Sequence, residues 1–73
     1  QIETLQFHIK EANKMTAKPL SQLKLKKGVL IAAIIRKGKT IFPTGEEMLE
    51  VGDKLLVTTL LPNITKIYDL IAR

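Results

Sequence analysis

Polar and apolar side chains alternate at the start of the chain. Within residues 2–10 the apolar positions are Leu5, Phe7 and Ile9, and polar residues separate them. Because successive side chains of a β-strand point to opposite faces, this period of two predicts a first strand with one buried face.

A second apolar segment predicts the centre of a sheet. Residues 29–36, VLIAAIIR, are apolar at nearly every position and rich in β-branched side chains, which is typical of a central strand covered on both sides. Lys37 and Gly38 then supply a two-residue hairpin turn. Residues 39–42 are expected to run antiparallel to the strand before them and to end at Pro43, which cannot donate a ladder hydrogen bond.

The next segment predicts a loop and a last strand. Residues 46–51 have no clear period and indicate an irregular passage, and Gly52 with Asp53 forms a turn. Residues 54–61, KLLVTTLL, have a β-branched centre and predict the last strand.

Two segments have helical spacing. Pro19 suits the first turn of a helix and Leu20 and Leu23 are three apart, which predicts a short helix near residues 18–24. Residues 62–73 predict a second, amphipathic helix, because apolar residues fall at i, i+3, i+4 and i+7. These residues are Ile64, Ile67, Tyr68 and Ile71.

The order β-α-β-β-β-α predicts one small α+β domain of two layers, with a mixed sheet of about four strands. About twenty residues separate the first strand from the central one, which is enough for a right-handed crossover if those strands are parallel. The chain has 73 residues and begins with Gln1, so we expect residues 1–73 to be a single domain cut from a longer polypeptide.

Composition limits the possible functions. No apolar run approaches the roughly 20 residues of a membrane span, so no direct insertion into a membrane is expected. The formal net charge is +5, and residues 10–39 hold nine basic residues against one acid. A basic segment of this kind forms either a solvated face or a surface for nucleic acid or anionic lipid. Nucleic acid is not the partner we expect, since aromatic residues are few and no helix-turn-helix is evident.

Catalytic and metal-binding motifs are absent from the sequence. His8 is the only histidine and there are no cysteines, so no metal site is predicted. Carboxylates cluster between Glu46 and Asp53, but they lie beside turns, and Asp53 is explained as a turn residue that bonds to its own backbone. There is no GxGxxG motif and no phosphate loop. We therefore predict that the chain is not an enzyme and carries no cofactor of its own.

The segment "KPLSQLKLKKGVLIAAIIRKGKTIFPTGEEMLEVGDKLLV" resembles the C-terminal domain of the regulators of potassium conductance, also called the TrkA-C domain. The resemblance lies in the leucine spacing, the apolar run that ends at Arg36, the glycine turn, Pro43, and Gly52-Asp53 before the last strand. It implies a cytoplasmic regulatory domain that forms homodimers and acts on a membrane potassium transporter or channel, at the inner face of the cell membrane. In some members of this family the dimer interface binds cyclic di-AMP.

Carried onto this sequence, the resemblance places a ligand-binding or dimer-interface wall at the end of the hairpin. Its residues are Ile34, Ile35, Arg36, Ile41, Phe42 and Pro43. A simpler interpretation is that one of the two isoleucines belongs to the core and that the stem of Arg36 covers apolar surface.

Three functions follow as hypotheses. The first is a ligand-sensing, dimerising regulatory domain of a Trk-like or Ktr-like potassium transport system, with cyclic di-AMP or another nucleotide as a possible ligand. The second is a structural assembly domain of another membrane transporter, with no ligand. The third is a basic nucleic-acid-binding domain.

Overall fold

A computed structural model describes residues 1–72. Four strands form one sheet: β1 Glu3–His8, β2 Val29–Arg36, β3 Lys39–Ile41 and β4 Lys54–Thr59. Their order across the sheet is β1-β4-β2-β3. The predicted strands are thus confirmed, each within a few residues of its expected bounds.

The sheet is antiparallel, so the expected mixed sheet is wrong. β1 and β2 run in the same direction, as a crossover would require, but β4 lies between them and pairs antiparallel with both. The last strand therefore fills the centre of the sheet. A sequence pattern does not show which strand will be inserted between two others.

The hairpin between β2 and β3 is confirmed. Lys37 and Gly38 both have positive φ, 51° and 76°, as a type I′ turn requires. Arg36 pairs with Lys39 across this turn, and Ile34 pairs with Ile41.

A β-bulge in β2 decides which side chains reach the core. Ile31 pairs with Val57 and Ala33 pairs with Leu56, so that Ala32 is the extra residue. Without the bulge, Ile31 and Ile34 would point to opposite faces of the sheet. With it, both point into the core and are almost fully buried.

The two faces of the sheet differ, and β2 is not covered on both sides as predicted. On one face the core consists of Ile9, Met15, Ile31, Ile34, Leu49, Leu55, Val57 and Leu70. We call the other face the open face. It carries Thr4, Gln6, His8, Leu30, Ala33, Ile35, Thr40, Lys54, Leu56 and Thr58. Leu30 is 61% exposed there.

The layer over the core contains turns and extended segments instead of the predicted α-helices. The helix expected near 18–24 is a single 3₁₀ turn at Leu20–Gln22, and another 3₁₀ turn spans Lys14–Thr16. The fold is therefore a small sheet domain, and an α+β architecture is not confirmed. Within residues 1–72, no helix is long and apolar enough to span a membrane.

The predicted C-terminal helix is wrong for the residues described. Only a 3₁₀ turn at Ile67–Leu70 forms, and Ile71 then pairs with Leu25 in an extended bridge. The segment holds three isoleucines and one threonine, β-branched residues that favour helices weakly, and it is shorter than an isolated helix needs. Asn63 also has a positive φ of 64°, which interrupts any helix at its expected start. Arg73, the last residue of that predicted helix, lies outside the described residues.

Candidate functional site

Arg36 lies at the end of β2 and is the centre of a charged cluster. Its Nε donates to Oδ1 of Asp53 and one terminal nitrogen donates to Oδ2, both at 2.9 Å. Its other terminal nitrogen lies 3.3 Å from a carboxylate oxygen of Glu47 and 3.2 Å from one of Glu50. A bidentate pair of this kind is among the stronger charge-assisted contacts.

Turn geometry places Asp53 beneath the guanidinium. Gly52 has a φ of 95°, and the Glu50 amide donates to Oδ2 of Asp53 at 2.8 Å. The carbonyl of Asp53 accepts from the amide of Ile9 at 2.8 Å, which joins the turn to the end of β1. Asp53 thus bonds to its own turn, as predicted, and also joins β1, β2 and the loop before β4.

The pKa of Asp53 reflects opposing influences. Burial would raise it, since the Asp53 side chain is inaccessible to solvent. Hydrogen bonds from Arg36 and from the Glu50 amide, with the positive charge of Arg36, outweigh burial and hold the pKa below its usual range. The same contacts raise the pKa of Arg36, so this pair remains charged at neutral pH.

Stability is expected to fall in acid because the pKa of Asp53 is lowered in the folded state. A carboxyl group whose pKa is lowered by folding stabilises the fold when the pH is above its pKa in the unfolded chain, about 3.9. This contribution is lost as the pH falls through the pKa of the folded state. Urea unfolding followed from about pH 7 to pH 2 is expected to show the wild type converging on Asp53→Asn at the acidic end. Curves that stay parallel over that range would contradict the assignment.

Asp69 provides the control for this experiment. Hydrogen bonds from the amides of Thr65 and Lys66 lower its pKa as well, but these contacts lie at the surface. Asp69→Asn is therefore expected to change the pH dependence in the same direction and by less.

The structure separates the six residues predicted to form a wall. Ile34 is fully buried, and Ile41 is partly buried and packs against the core. Ile35 and Phe42 are exposed, by 39% and 79%. Pro43 is half-buried. Ile35 and Phe42 therefore form an exposed lip beside the edge strand β3.

Arg36 itself faces the core side of the sheet and is bound by carboxylates. A terminal nitrogen of Arg36 also donates to the carbonyl of Met48 at 2.9 Å. The link between Arg36 and Asp53 is not predicted from the sequence. The available signal was an arginine at one strand end and a run of carboxylates before the last strand.

The open face contains a stripe of apolar side chains. Leu30, Ile35 and Leu56 are exposed there, and Ala33 lies among them. The other side chains of the open face are polar. Among them, Lys54 and His8 are the two basic residues. No group of three potential metal ligands occurs within residues 1–72.

Comparison with known proteins identifies the family of the chain. The family model of the TrkA-C domain matches residues 5–72. The chain belongs to the TrkA-C domain family. The match covers β1 from Leu5 onward, the other three strands, the loop that carries Asp53, and the C-terminal segment.

Two relatives of this TrkA-C domain come from Methanosarcina mazei. Trk system potassium uptake protein TrkA homolog 1 is 31% identical over 55 residues, which are 75% of this chain and 12% of that protein. Trk system potassium uptake protein TrkA homolog 2 is 28% identical over 58 residues, which are 80% of this chain and 13% of that protein. The chain thus corresponds to a small part of each relative.

Proposed function

We propose that this TrkA-C domain regulates a Trk-type potassium uptake system and that two copies associate through the open face. The potassium system comes from the names of the relatives, which are potassium uptake proteins. The domain would act at the inner side of the membrane as part of a longer protein. The observation that supports association is the uncovered apolar stripe of the open face.

The composition of the open face fits a protein interface. Its exposed centre is Leu30, Ile35 and Leu56, and threonine and glutamine side chains surround it. An apolar centre with a polar rim is the usual arrangement of specific interfaces. Antiparallel sheets often leave one face to water, but neighbouring exposed apolar side chains on such a face mark an interaction site, and a partner that covers them would bury surface now in contact with water.

A second copy of the chain is the occupant that the charges favour. The domain has a net charge of +5, yet the open face carries Lys54 as its one formally charged side chain. Two identical faces can therefore meet with little repulsion. The symmetry of such a dimer lets each apolar stripe cover the other.

Regulation then follows from a shift between arrangements of the two domains. A ligand or partner that binds one arrangement more tightly raises the population of that arrangement. The size of the shift is set by the ratio of its affinities for the two arrangements. The transporter responds to that population. This mechanism requires no catalytic group.

The lip formed by Ile35 and Phe42 extends the same interface. A phosphate contact by Arg36 would compete with Asp53, which holds the guanidinium at two points. We therefore assign the lip to apolar contacts with the partner domain first. Cyclic di-AMP would bind there through its bases, and a rise in melting temperature with added cyclic di-AMP is the measurement that detects it.

Sedimentation equilibrium tests the dimer. We expect the wild-type chain to dimerise with rising concentration, and Ile35→Glu to raise the dissociation constant at least about thirtyfold, because a central interface residue contributes about 2 kcal/mol or more. Leu56→Lys is expected to act in the same way. Circular dichroism confirms that both variants remain folded.

Val51→Glu is the matched control. Val51 is 55% exposed, lies in the turn before Asp53 and is outside the open face. The substitution Val51→Glu makes the same change from an apolar to an acidic side chain, but at a position outside the apolar stripe. A wild-type chain that stays monomeric at all concentrations, or an equal effect of Val51→Glu, would refute the proposed interface.

A further inference from the structure

A pocket on the opposite side of the domain collects three lysines around a tyrosine. It has a volume of about 590 Å³, and its lining includes Lys14, Lys26, Lys66, Tyr68, Asp69 and Ile71. None of these residues belongs to the open face or to the Arg36 cluster. The pocket is therefore independent of the dimer proposed above.

Two of the three lysines lie on segments that backbone contacts hold in place. Lys14 begins a 3₁₀ turn whose cap is Asn13, with Oδ1 of Asn13 accepting from the Met15 amide at 2.7 Å. The amide of Lys26 donates to the carbonyl of Leu70 at 2.9 Å. The Lys26 contact and the bridge between Leu25 and Ile71 join the loop before β2 to the C-terminal segment, so two of the segments that line the pocket are fixed relative to each other.

The turn that carries Tyr68 is fixed by Asp69. One oxygen of this carboxylate accepts from the amides of Thr65 and Lys66, at 3.0 and 2.9 Å, and from the Thr65 hydroxyl at 3.3 Å. That oxygen is thus occupied by its own turn. Tyr68 remains 52% exposed at the rim of the pocket.

The charges of the pocket are not balanced by the protein. Within residues 1–72, Lys14, Lys26 and Lys66 form no ion pair with a carboxylate within 4 Å. With Asp69 included, the lining has a formal charge of +2. Like charges brought together repel each other, and an anion between them removes that repulsion.

The shape and charge together indicate one class of ligand. A phosphate monoester carries a charge of about −1.5 to −2 at neutral pH and offers three acceptor oxygens. Lysine binds phosphate as a point charge. The exposed ring of Tyr68 beside Ile71 gives a planar, apolar surface on which a base can stack. We propose that this pocket binds the phosphate of a mononucleotide between its lysines, with the base stacked on Tyr68.

Titration of the ¹⁵N-labelled chain with adenosine 5′-monophosphate tests the proposal. At an ionic strength of about 0.01 M, where screening is weak, we expect saturable shifts at the amides of Lys26, Tyr68 and Ile71. Inorganic phosphate is expected to move the same lysine amides and to bind about tenfold more weakly, because base stacking contributes about 1–3 kcal/mol. Adenosine alone is expected to cause no saturable shift. Shifts that do not saturate, or that lie elsewhere, would overturn the proposal.

Charge-matched variants separate a specific pocket from general attraction. Lys26→Gln with Lys66→Gln is expected to weaken binding about tenfold, at two- to fivefold for each exposed lysine. Lys39→Gln with Lys54→Gln removes the same charge at the far end of β2, about 25 Å away, and is expected to change binding less than about twofold. An equal loss in both double variants would show diffuse electrostatic attraction and overturn the assignment.

Tyr68 variants test the stacking step. Tyr68→Phe keeps the ring and is expected to keep the affinity for the nucleotide. Tyr68→Ala is expected to reduce that affinity to the level of inorganic phosphate. If Tyr68→Ala binds the nucleotide as tightly as the wild type, the base does not stack there and the proposal fails.

Discussion

Arg36→Ala is expected to lower the free energy of unfolding by about 3–5 kcal/mol, the cost of leaving a buried charge without its partner. Asp53 is inaccessible to solvent and holds the guanidinium at two points. A domain of this size has a total stability of about 4–11 kcal/mol. The variant is therefore expected to lose between about a quarter and all of this stability, which urea denaturation measures directly.

Lys39→Ala is the matched control for Arg36→Ala. Lys39 pairs with Arg36 across the hairpin but is exposed, so its loss is expected to cost no more than about 0.5 kcal/mol. In the double variant Arg36→Ala with Asp53→Asn, the buried charge is removed together with its partner. The double variant is expected to lose less stability than the sum of the two single variants. If Arg36→Ala costs no more than Lys39→Ala, the cluster does not stabilise the fold.

The strands could be predicted because each is specified by its own residues. Alternation located β1, the apolar run located β2, and the pair Lys37-Gly38 specified the hairpin turn between β2 and β3. These signals are local, and local pairing across a two-residue turn leaves little choice of register.

The sheet order, the bulge and the charged cluster depend on contacts between distant residues. No local signal places β4 between β1 and β2, or identifies Ala32 as the extra residue that turns Ile34 toward the core. Arg36 and Asp53 are 17 positions apart and meet only because β2 and β4 are neighbours. Of the predicted wall, Ile35 and Phe42 are exposed and Ile34 is the isoleucine that belongs to the core, a choice that the sequence pattern leaves open because it does not show the bulge.

The helical spacing in the C-terminal segment predicts the wrong structure, because the apolar residues of this segment contact the core from an extended backbone. Ile64, Ile67 and Ile71 do pack against the core, but Tyr68, the fourth member of the predicted stripe, is exposed. Leu70, outside the stripe, is fully buried instead. The backbone is held by the pairing of Ile71 with Leu25, which a helix would not allow.

Leu70→Ala is expected to lower the free energy of unfolding by about 2–5 kcal/mol, the range for a leucine removed from a packed core. Leu70 lies among Ile9, Met15 and the buried side chains of β2 and β4, and its carbonyl accepts from the amide of Lys26. Tyr68→Ala, in the same 3₁₀ turn, is expected to cost less than about 1 kcal/mol because its ring is half exposed. A helix with the predicted stripe would reverse this order, since Tyr68 would be buried and Leu70 would not. Urea unfolding of the two variants therefore distinguishes the extended segment from the helix, and a larger loss for Tyr68→Ala would contradict the structure.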